Sequence, residues 1–348
     1  MGAVFRIQSI DMSEQGVWNI HLKLTGEEDQ ELKELTNYMR QNIISTHPLG
    51  NLSKLMLEIA NYDKAEEYCN FLLKDPTVLN EYSSLASVYN NLGFNSSTRG
   101  QQDKAIEQYK KSLEICLEHL PETHPTLTTQ FNNLACCYHL NDDNEKSSLC
   151  YFKALYIELN APNPIETNIA STYSNLGEVY RVQGLYIEAL EMYEKCLNIE
   201  LKILPSNHPS LAATYNNISQ VYIAYGDYYK ALEYLNKTLE IQVNSLPSTH
   251  ISIGGTYNNL SLAYSRLNDF EKALDNMKKA YDIYKPIYSS YHLDVIIMRV
   301  HMKFFRHQLG ENVDDDEDDS EDGTDDDEVN LENFVTSLKK HFVKDSQK

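Results

Sequence analysis

Histidine is the residue of this chain whose recurrence most suggests chemistry, because neutral imidazole is a common metal ligand. Four histidines occupy one register of a repeating pattern: His124, His208, His250 and His292. Successive copies lie at least one whole repeat apart along the chain, so their rings cannot converge on a single ion. We interpret them as structural residues, and the sequence predicts no metal site.

Thiols are the other candidates for reactive or metal-binding groups. None of the six cysteines belongs to a Cys-x-x-Cys pair, and all lie in segments that read as helix. We therefore predict buried free thiols rather than disulfides or a metal site. The six are Cys69, Cys116, Cys136, Cys137, Cys150 and Cys196. No catalytic residue and no cofactor is predicted, so we expect a non-enzymatic protein.

Paired amide side chains recur at intervals of forty-two residues. Residues 131–135 read Phe-Asn-Asn-Leu-Ala, and similar stretches stand at residues 173–177, 215–219 and 257–261. Each stretch is followed by a tyrosine, at Tyr138, Tyr180, Tyr222 and Tyr264. Self-similarity at a fixed period is typical of solenoids, whose units bury their apolar faces against neighbouring units.

Each repeat contains two segments with the apolar spacing of a helix. In one copy Tyr215, Ile218 and Tyr222 mark the first helix, and Ala231 and Leu235 mark the second. The position of Ala231 holds a small residue in every copy, which predicts close helix crossing: Ala105, Ser147, Ala189, Ala231 and Ala273. The turn between the helices holds residues that tolerate a left-handed backbone: Gly100, Asp142, Gly184, Gly226 and Asn268.

This pattern resembles the tetratricopeptide repeat. The forty-two-residue period, the Leu-Pro…His-Pro linker and the Tyr-Asn-Asn-Leu core are similar to the repeats of kinesin light chains and nephrocystin-3-like proteins. The resemblance covers residues 46–309. It implies an all-α, right-handed superhelical solenoid of about six helix pairs, with a concave groove that takes peptides.

The ends of the array are less regular. Residues 46–79 read as a thirty-four-residue unit with apolar positions at Leu49, Leu52, Met56, Tyr62, Ala65 and Leu72. In the next unit we expect a seven-residue insertion between residues 82–86 and a second helix at residues 104–117. Seven residues make about two helical turns, so the first helix could simply be longer. Residues 292–309 read as a closing half-repeat with Arg299, Lys303 and Arg306 on its polar face.

In the tetratricopeptide family, the two residues after the leading aromatic face the groove. Here they form a ladder: Ser83, Ser84, Asn132, Asn133, Ser174, Asn175, Asn216, Asn217, Asn258 and Asn259. A side-chain amide both donates and accepts, so such a ladder could satisfy a peptide backbone of any sequence. Glu178, Arg181, Gln220 and Arg266 lie further along these helices and could add charge selectivity. The alternative is that the asparagines cap helices or bridge adjacent repeats without any ligand.

Residues 1–25 depart from the helical pattern. Residues 4–10 and 17–24 alternate in the manner of strands around a turn-rich stretch at 11–16, which predicts a hairpin. Residues 26–45 follow as a short helix, at 29–43, and a linker. The hairpin resembles the closing strands of arginine-specific ADP-ribosyltransferases. No catalytic residue of that family can be assigned here, so the resemblance implies at most a regulatory portion of such an enzyme.

The C-terminal region is strongly acidic. Residues 311–328 hold thirteen acids and no base, out of a net charge of −21, so the rest of the chain carries −8. We predict a disordered linker at residues 310–328. In residues 329–348 the apolar spacing predicts an amphipathic helix, with one face formed by Leu331, Phe334, Val335, Leu338 and Phe342. That helix could bind a partner or fold back over the array.

The leading hypothesis is a protein-interaction scaffold that binds peptide segments. The ADP-ribosyltransferase portion and a kinesin light chain-like cargo adaptor are the alternatives. The negative charge argues against nucleic acid. The chain starts without a signal-peptide pattern and has no apolar run long enough to span a bilayer, so we predict a cytoplasmic protein that binds no membrane.

Overall fold

The computed structural model describes residues 5–12, 18–24, 54, 56–58, 60–289 and 292–311. These residues form a two-stranded hairpin and a series of helices, and the helices recur as stacked pairs in the manner of a solenoid. The predicted fold class is therefore confirmed. The helix expected at residues 29–43, the acidic linker beyond residue 311 and the helix expected at residues 329–348 lie outside the described residues. The chain divides into two compact units, Met1–Pro164 and Ile165–Lys348.

The first unit begins with the hairpin that the sequence predicts. Strand β1, Phe5–Met12, pairs in antiparallel register with strand β2, Trp18–Leu24. Ile10 pairs with Ile20, and the register shifts between Ile7 and Ser9. The first strand is longer than expected, because Asp11 and Met12 pair with the second strand instead of belonging to the turn.

Lys54 and residues 56–58 are helical, and six helices with described bounds follow them in the first unit. They are α1 (Tyr62–Leu72), α2 (Pro76–Leu79), α3 (Tyr82–Thr98), α4 (Gln102–His119), α5 (Thr126–Leu140) and α6 (Asn144–Leu159). Helix α3 packs along α4, and α5 packs along α6. Of the apolar positions expected in the thirty-four-residue unit, Met56, Ala65 and Leu72 are buried.

The expected seven-residue insertion does not exist. Residues 89–93 read Tyr-Asn-Asn-Leu-Gly and stand forty-two residues before the stretch at 131–135, so they are a fifth copy of the repeated core. Helix α3 has 17 residues, the same length as two first helices of later repeats. Ser83 and Ser84 therefore do not belong to the amide ladder. Their hydroxyls instead donate to the Glu81 carboxylate at the start of α3.

Seven helices form the described part of the second unit. They are α7 (Glu166–Val182), α8 (Tyr186–Ile203), α9 (Pro209–Tyr225), α10 (Tyr228–Ser245), α11 (Ile251–Arg266), α12 (Phe270–Tyr284) and α13 (Leu293–Leu309). Each first helix packs along the second helix that follows it, and each second helix packs on the next first helix. Helix α13 is the predicted closing half-repeat.

Small residues permit the close crossing of the two helices in each pair. The five predicted positions are fully buried. At two of them a hydroxyl takes part in the crossing: Ser147 donates to the Ala135 carbonyl at 2.8 Å, and Ser261 donates to the Ala273 carbonyl at 2.7 Å. The small-residue pattern thus fixes how closely the paired helices approach.

The turns between paired helices adopt the predicted left-handed conformation. All five turn residues have positive φ, from 58° at Asp142 to 89° at Gly226. Two of the five are not glycine, and Asp and Asn are the side chains that best tolerate this region. The turn prediction is confirmed in every copy.

The repeated histidines begin helices. Nδ1 of His208 accepts the backbone N–H of Ser210 at 3.2 Å, and His250 and His292 cap α11 and α13 in the same way. His124 makes the equivalent contact to Thr126. The N–H groups of a first helical turn have no partner within the helix, so a capping acceptor stabilises the start. This is a structural role, as predicted for these residues.

Candidate functional site

The amide ladder lies between the first helices of successive repeats. In the first unit, Nδ2 of Asn133 on α5 donates to Oδ1 of Asn90 on α3 at 2.9 Å. In the second unit, Asn259 on α11 donates to Asn216 on α9 at 3.2 Å. In both pairs the second asparagine of one copy binds the first asparagine of the preceding copy. These four residues therefore do bridge adjacent repeats, which was the alternative left open by the sequence.

Bridging leaves each of these amides with further capacity. A carboxamide has two N–H donors and two acceptor lone pairs, and one contact uses a single member of that set. Most of the ladder is half-buried, while Asn175 is exposed. The half-buried members are Asn132, Asn133, Ser174, Asn216, Asn217, Asn258 and Asn259. Within each unit, these side chains thus form a partly buried polar seam between first helices.

Two of the predicted charge-selective residues bind each other. The Arg181 guanidinium donates to both carboxylate oxygens of Glu178, at 2.7 and 2.6 Å. The hydroxyl of buried Tyr193 donates to the same carboxylate at 3.1 Å. Burial, with a smaller contribution from Glu178, raises the pKa of Tyr193 above its ordinary value, so the phenol stays protonated. Glu178 and Arg181 act as one fixed ion pair rather than two independent charges.

The remaining two predicted residues lie apart from this pair. Gln220 is half-buried on α9, and Arg266 is half-buried in the last turn of α11. Gln220 stands forty-two residues after Glu178, so the same position holds a carboxylate in one copy and an amide in the next.

The structure also contains a ladder of lysines that lie over aromatic rings. This ladder was not predicted from the sequence. In each of five copies a lysine stands twenty-two residues after the leading aromatic, and its ammonium lies 5.4–5.9 Å from the ring centroid. The pairs are Tyr89–Lys111, Phe131–Lys153, Tyr173–Lys195, Tyr215–Lys237 and Tyr257–Lys279. Four of these lysines also form an ion pair with an acid four residues earlier. The forty-two-residue period of the lysines is the signal that could have revealed them.

A second set of lysines is also engaged. Asp227 caps α10 by accepting the N–H of Lys230 and forms an ion pair with its amine, which lies 5.1 Å from the Tyr222 centroid. Asp143 with Lys146 and Asp269 with Lys272 repeat the arrangement over Tyr138 and Tyr264. These lysines are bound to their own repeat, so amides rather than basic side chains dominate the polarity of the seam.

The cysteines only partly follow the prediction. All six are free, and Cys69, Cys116, Cys137 and Cys196 are buried. Cys150 is half-buried and Cys136 is exposed, so the expected burial is wrong for Cys136. Burial raises the pKa of the Cys196 thiol to about 12 and raises that of the buried Cys137 thiol as well. Thiols with a raised pKa are poor nucleophiles.

The described residues offer neither a cluster of metal ligands nor a membrane-spanning helix. That part of the chain contains no group of three or more His, Cys, Asp or Glu side chains that could hold a metal ion. None of its helices combines the length and the apolar character needed to cross a bilayer.

Comparison with known proteins identifies which residues match a known repeat family. Sequence models of the tetratricopeptide repeat match residues 85–126, 168–243 and 226–286. No curated protein matches the chain. The matched residues exclude the hairpin, so its resemblance to ADP-ribosyltransferases stays a prediction.

Solved structures share the fold. BtubC (BKLC) from P. vanneervenii is 19% identical, with a TM-score of 0.53 over 60% of this chain and 84% of that one. A Podosopora anserina protein described as a kinesin light chain with nearly identical TPR-like repeats is 24% identical, with a TM-score of 0.52 over 60% and 99%. The apo form of RapI is 18% identical, with a TM-score of 0.55 over 65% and 80%. The chain therefore carries tetratricopeptide repeats, at residues 85–126 and 168–286, in a fold shared with kinesin light chain-like repeat proteins.

Proposed function

We propose that the chain is a non-catalytic scaffold that binds an extended peptide segment along the asparagines between the first helices of its second unit. The observation that carries the proposal is the pairing of amides across successive repeats. Each pair is held at a fixed position yet keeps donors and acceptors for a ligand. A peptide backbone presents N–H and C=O groups in regular alternation, which is the chemistry that such a seam complements.

The engaged lysines support a ligand recognised through its backbone rather than through an acidic terminus. Lys195, Lys230, Lys237, Lys272 and Lys279 each contact a ring and an acid of their own repeat. Glu178 and Arg181 neutralise each other. Selectivity would then come from Gln220, Arg266 and the tyrosines of the first helices.

The test begins with selection of ligands from a random peptide library against the full chain. A selected peptide is labelled, and its dissociation constant is measured by fluorescence anisotropy, where about 1 μM corresponds to about −8 kcal/mol. The triple variant Asn175→Ala, Asn217→Ala and Asn259→Ala should bind at least about tenfold more weakly, a loss of about 1.4 kcal/mol.

A matched control uses exposed asparagines on the second helices of the same unit. Asn198→Ala, Asn236→Ala and Asn244→Ala change the same residue type away from the seam, since all three lie on α8 or α10. This control should bind as the wild type does. Equal affinity of the seam variant and the wild type would reject the proposal, provided that circular dichroism shows both folded.

A kinesin light chain-like cargo adaptor is a narrower form of the same proposal. Its support is the repeat fold shared with the Podosopora anserina protein, and a fold alone does not transfer a cargo. Binding of a kinesin heavy-chain fragment to the full chain in a sedimentation assay would favour it. Absence of co-sedimentation at micromolar concentrations would leave the general scaffold as the function.

A further inference from the structure

Helix α13 begins a repeat in the same way as the helices before it. His292 caps it as His250 caps α11, and it ends at Gly310, whose φ is 75°. Gly310 stands forty-two residues after Asn268, the turn residue between α11 and α12. By this register, a second helix that pairs with α13 would start at residue 312.

The sequence at that place cannot supply an apolar helix face. Residues 311–328 contain thirteen acids, and Asp315 stands where Ala273 lies buried in the preceding copy. The next stretch with helical apolar spacing is residues 331–342. Along the chain, the next apolar stretch after α13 therefore comes only after the acidic residues.

Helix α13 has a second apolar face. One face joins α12 through Met298, Met302 and Phe305. At about 100° per residue, Val300 lies on the opposite side of the helix from Met298. We define the terminal stripe as Leu293, Ile296, Ile297 and Val300, which have the spacing i, i+3, i+4 and i+7.

The preceding copy shows that this stripe is unusual. Its equivalents on α11 are Ile251, Gly254, Gly255 and Asn258. A Cβ on Gly254 would lie 2.5 Å from the Tyr284 ring of α12. The absence of a side chain at Gly254 therefore lets α12, the paired second helix, pack closely against α11. On α13 the two glycines are replaced by isoleucines and the asparagine by valine. The terminal stripe is shaped for an apolar partner that sits differently from α12.

Burial points to such a partner. Val300 is only 2% exposed, and within the described residues it does not belong to the apolar cluster that α13 shares with α12. Asn258, its equivalent on α11, is only half-buried although a further repeat follows it. Ile296 and Ile297 are half-buried, while Leu293 at the start of the stripe is 63% exposed.

We propose that residues 331–342 pack their apolar side chains on the terminal stripe and cover it. Leu331, Phe334, Val335, Leu338 and Phe342 present one apolar face over about 17 Å of helix, and the stripe is about 11 Å long. About twenty residues separate Glu311 from this segment, a root-mean-square span of about 25 Å. Val300 lies about 14 Å along the axis from the end of α13, so the segment can reach it.

Charge favours the same arrangement. Arg299, Lys303 and Arg306 lie on the side of α13 next to the stripe, and the acidic residues 311–328 must pass close to it. The basic side chains of α13 and the acidic residues attract each other, and added salt weakens this attraction. The docking itself does not depend on the proposed peptide-binding function.

Hydrogen–deuterium exchange of the full chain tests the contact. The double variant Leu338→Asp and Phe342→Asp should make the amides of residues 293–304 exchange at least tenfold faster, with no change in α9. The charge-matched control Asn333→Asp and Thr336→Asp alters the other faces of the same segment and should exchange like the wild type. Unchanged exchange of residues 293–304 in the Leu338–Phe342 variant would overturn the proposal.

A second measurement, made on proteins that circular dichroism shows to be folded, reports the contact through competition. A fluorescein-labelled peptide of residues 329–348 should bind the Leu338–Phe342 variant at least tenfold more tightly than the wild type, whose site is already occupied. Equal binding to both proteins would contradict the docking. Protection of residues 293–304 that disappears on dilution, with dimers in sedimentation velocity, would show that a second copy supplies the segment and would overturn the intrachain contact. Since neither readout uses a peptide selected against the asparagine seam, failure here and failure of the seam variant are separate outcomes.

Discussion

The side-chain amide of Asn133 donates a hydrogen bond to Oδ1 of Asn90, 2.9 Å away and forty-three residues earlier in the chain. The contact joins two first helices that are separated by a complete second helix. Its counterpart between Asn259 and Asn216 has the same direction and spacing. The amide seam is thus a structural connection between repeats as well as the proposed ligand surface.

Removing one partner of the Asn133–Asn90 pair should weaken the first unit. Asn133→Ala is expected to lower the free energy of unfolding by about 1 kcal/mol, because a half-buried amide loses its partner. Urea denaturation of Asn133→Ala, Asn90→Ala and the double variant would give a coupling energy of about 0.5–1.5 kcal/mol. Strict additivity would show that the bond contributes nothing to stability.

The histidine caps should be measurable one at a time. His208→Ala removes the acceptor for the Ser210 N–H and should cost about 1 kcal/mol in thermal or urea unfolding. His208→Asn supplies another capping acceptor and should recover most of the loss. If the alanine and asparagine variants were equally unstable, the ring would matter for packing and not as a cap.

Gly177 should not tolerate a methyl group. A Cβ there would lie 2.9 Å from the Tyr193 ring, and that ring is fully buried with little room to move. Gly177→Ala is expected to destabilise by about 1–3 kcal/mol. The next repeat carries Ser219 with Leu235 at these positions.

That natural combination provides the control. The double variant Gly177→Ser and Tyr193→Leu should be more stable than Gly177→Ala, because the smaller leucine makes room for the added side chain. A double variant that is less stable than Gly177→Ala would mean that the hydrogen bond from Tyr193 to Glu178 outweighs the clash.

Stability should depend on the protonation of Glu200. Thr214 donates to its buried carboxylate at 2.7 Å, and burial raises the pKa of this carboxyl above its ordinary value. The folded state therefore holds this proton more tightly than the unfolded state. The free energy of unfolding should fall as the pH rises through the interval between the two pKa values. Glu200→Gln should remove this dependence and raise stability at neutral pH.

The next repeat supplies the reciprocal test. Gln242 accepts from Thr256 at 2.7 Å in the same geometry, so an amide already fits this site. Gln242→Glu should introduce the pH dependence that Glu200→Gln removes. Unfolding curves of both variants between pH 4 and pH 8 would check the pair. Parallel curves for wild type and Glu200→Gln would refute the assignment.

Features set within one turn or one helix pair could be predicted from the sequence. The left-handed turn at Gly226, the small residue at Ala231 and the histidine register all follow from local requirements that recur with the period. Each of these positions needs a backbone conformation or a contact that few residue types can supply. The residue type at the position therefore indicates the local structure.

The register of α3 could not be predicted in this way, for a physical reason. Tyr82 and Tyr89 are seven residues apart, which is about two helical turns, so both lie on the same face. Either tyrosine could lead the repeat as judged by apolar spacing. The choice is decided by contacts with a neighbouring helix, such as Asn90 with Asn133. The lysine–ring pairs were missed for the same reason, since Lys111 and Tyr89 belong to different helices.

The direction of the amide contacts has a consequence for how such a chain can grow. In both pairs the later copy supplies the donor and the earlier copy the acceptor, so a repeat placed between two others needs a donor for one neighbour and an acceptor for the other. A duplicated block of forty-two residues would find both needs met on insertion, with no new chemistry to invent. Duplication of a repeat that carries both asparagines would therefore keep the pattern of amide contacts intact.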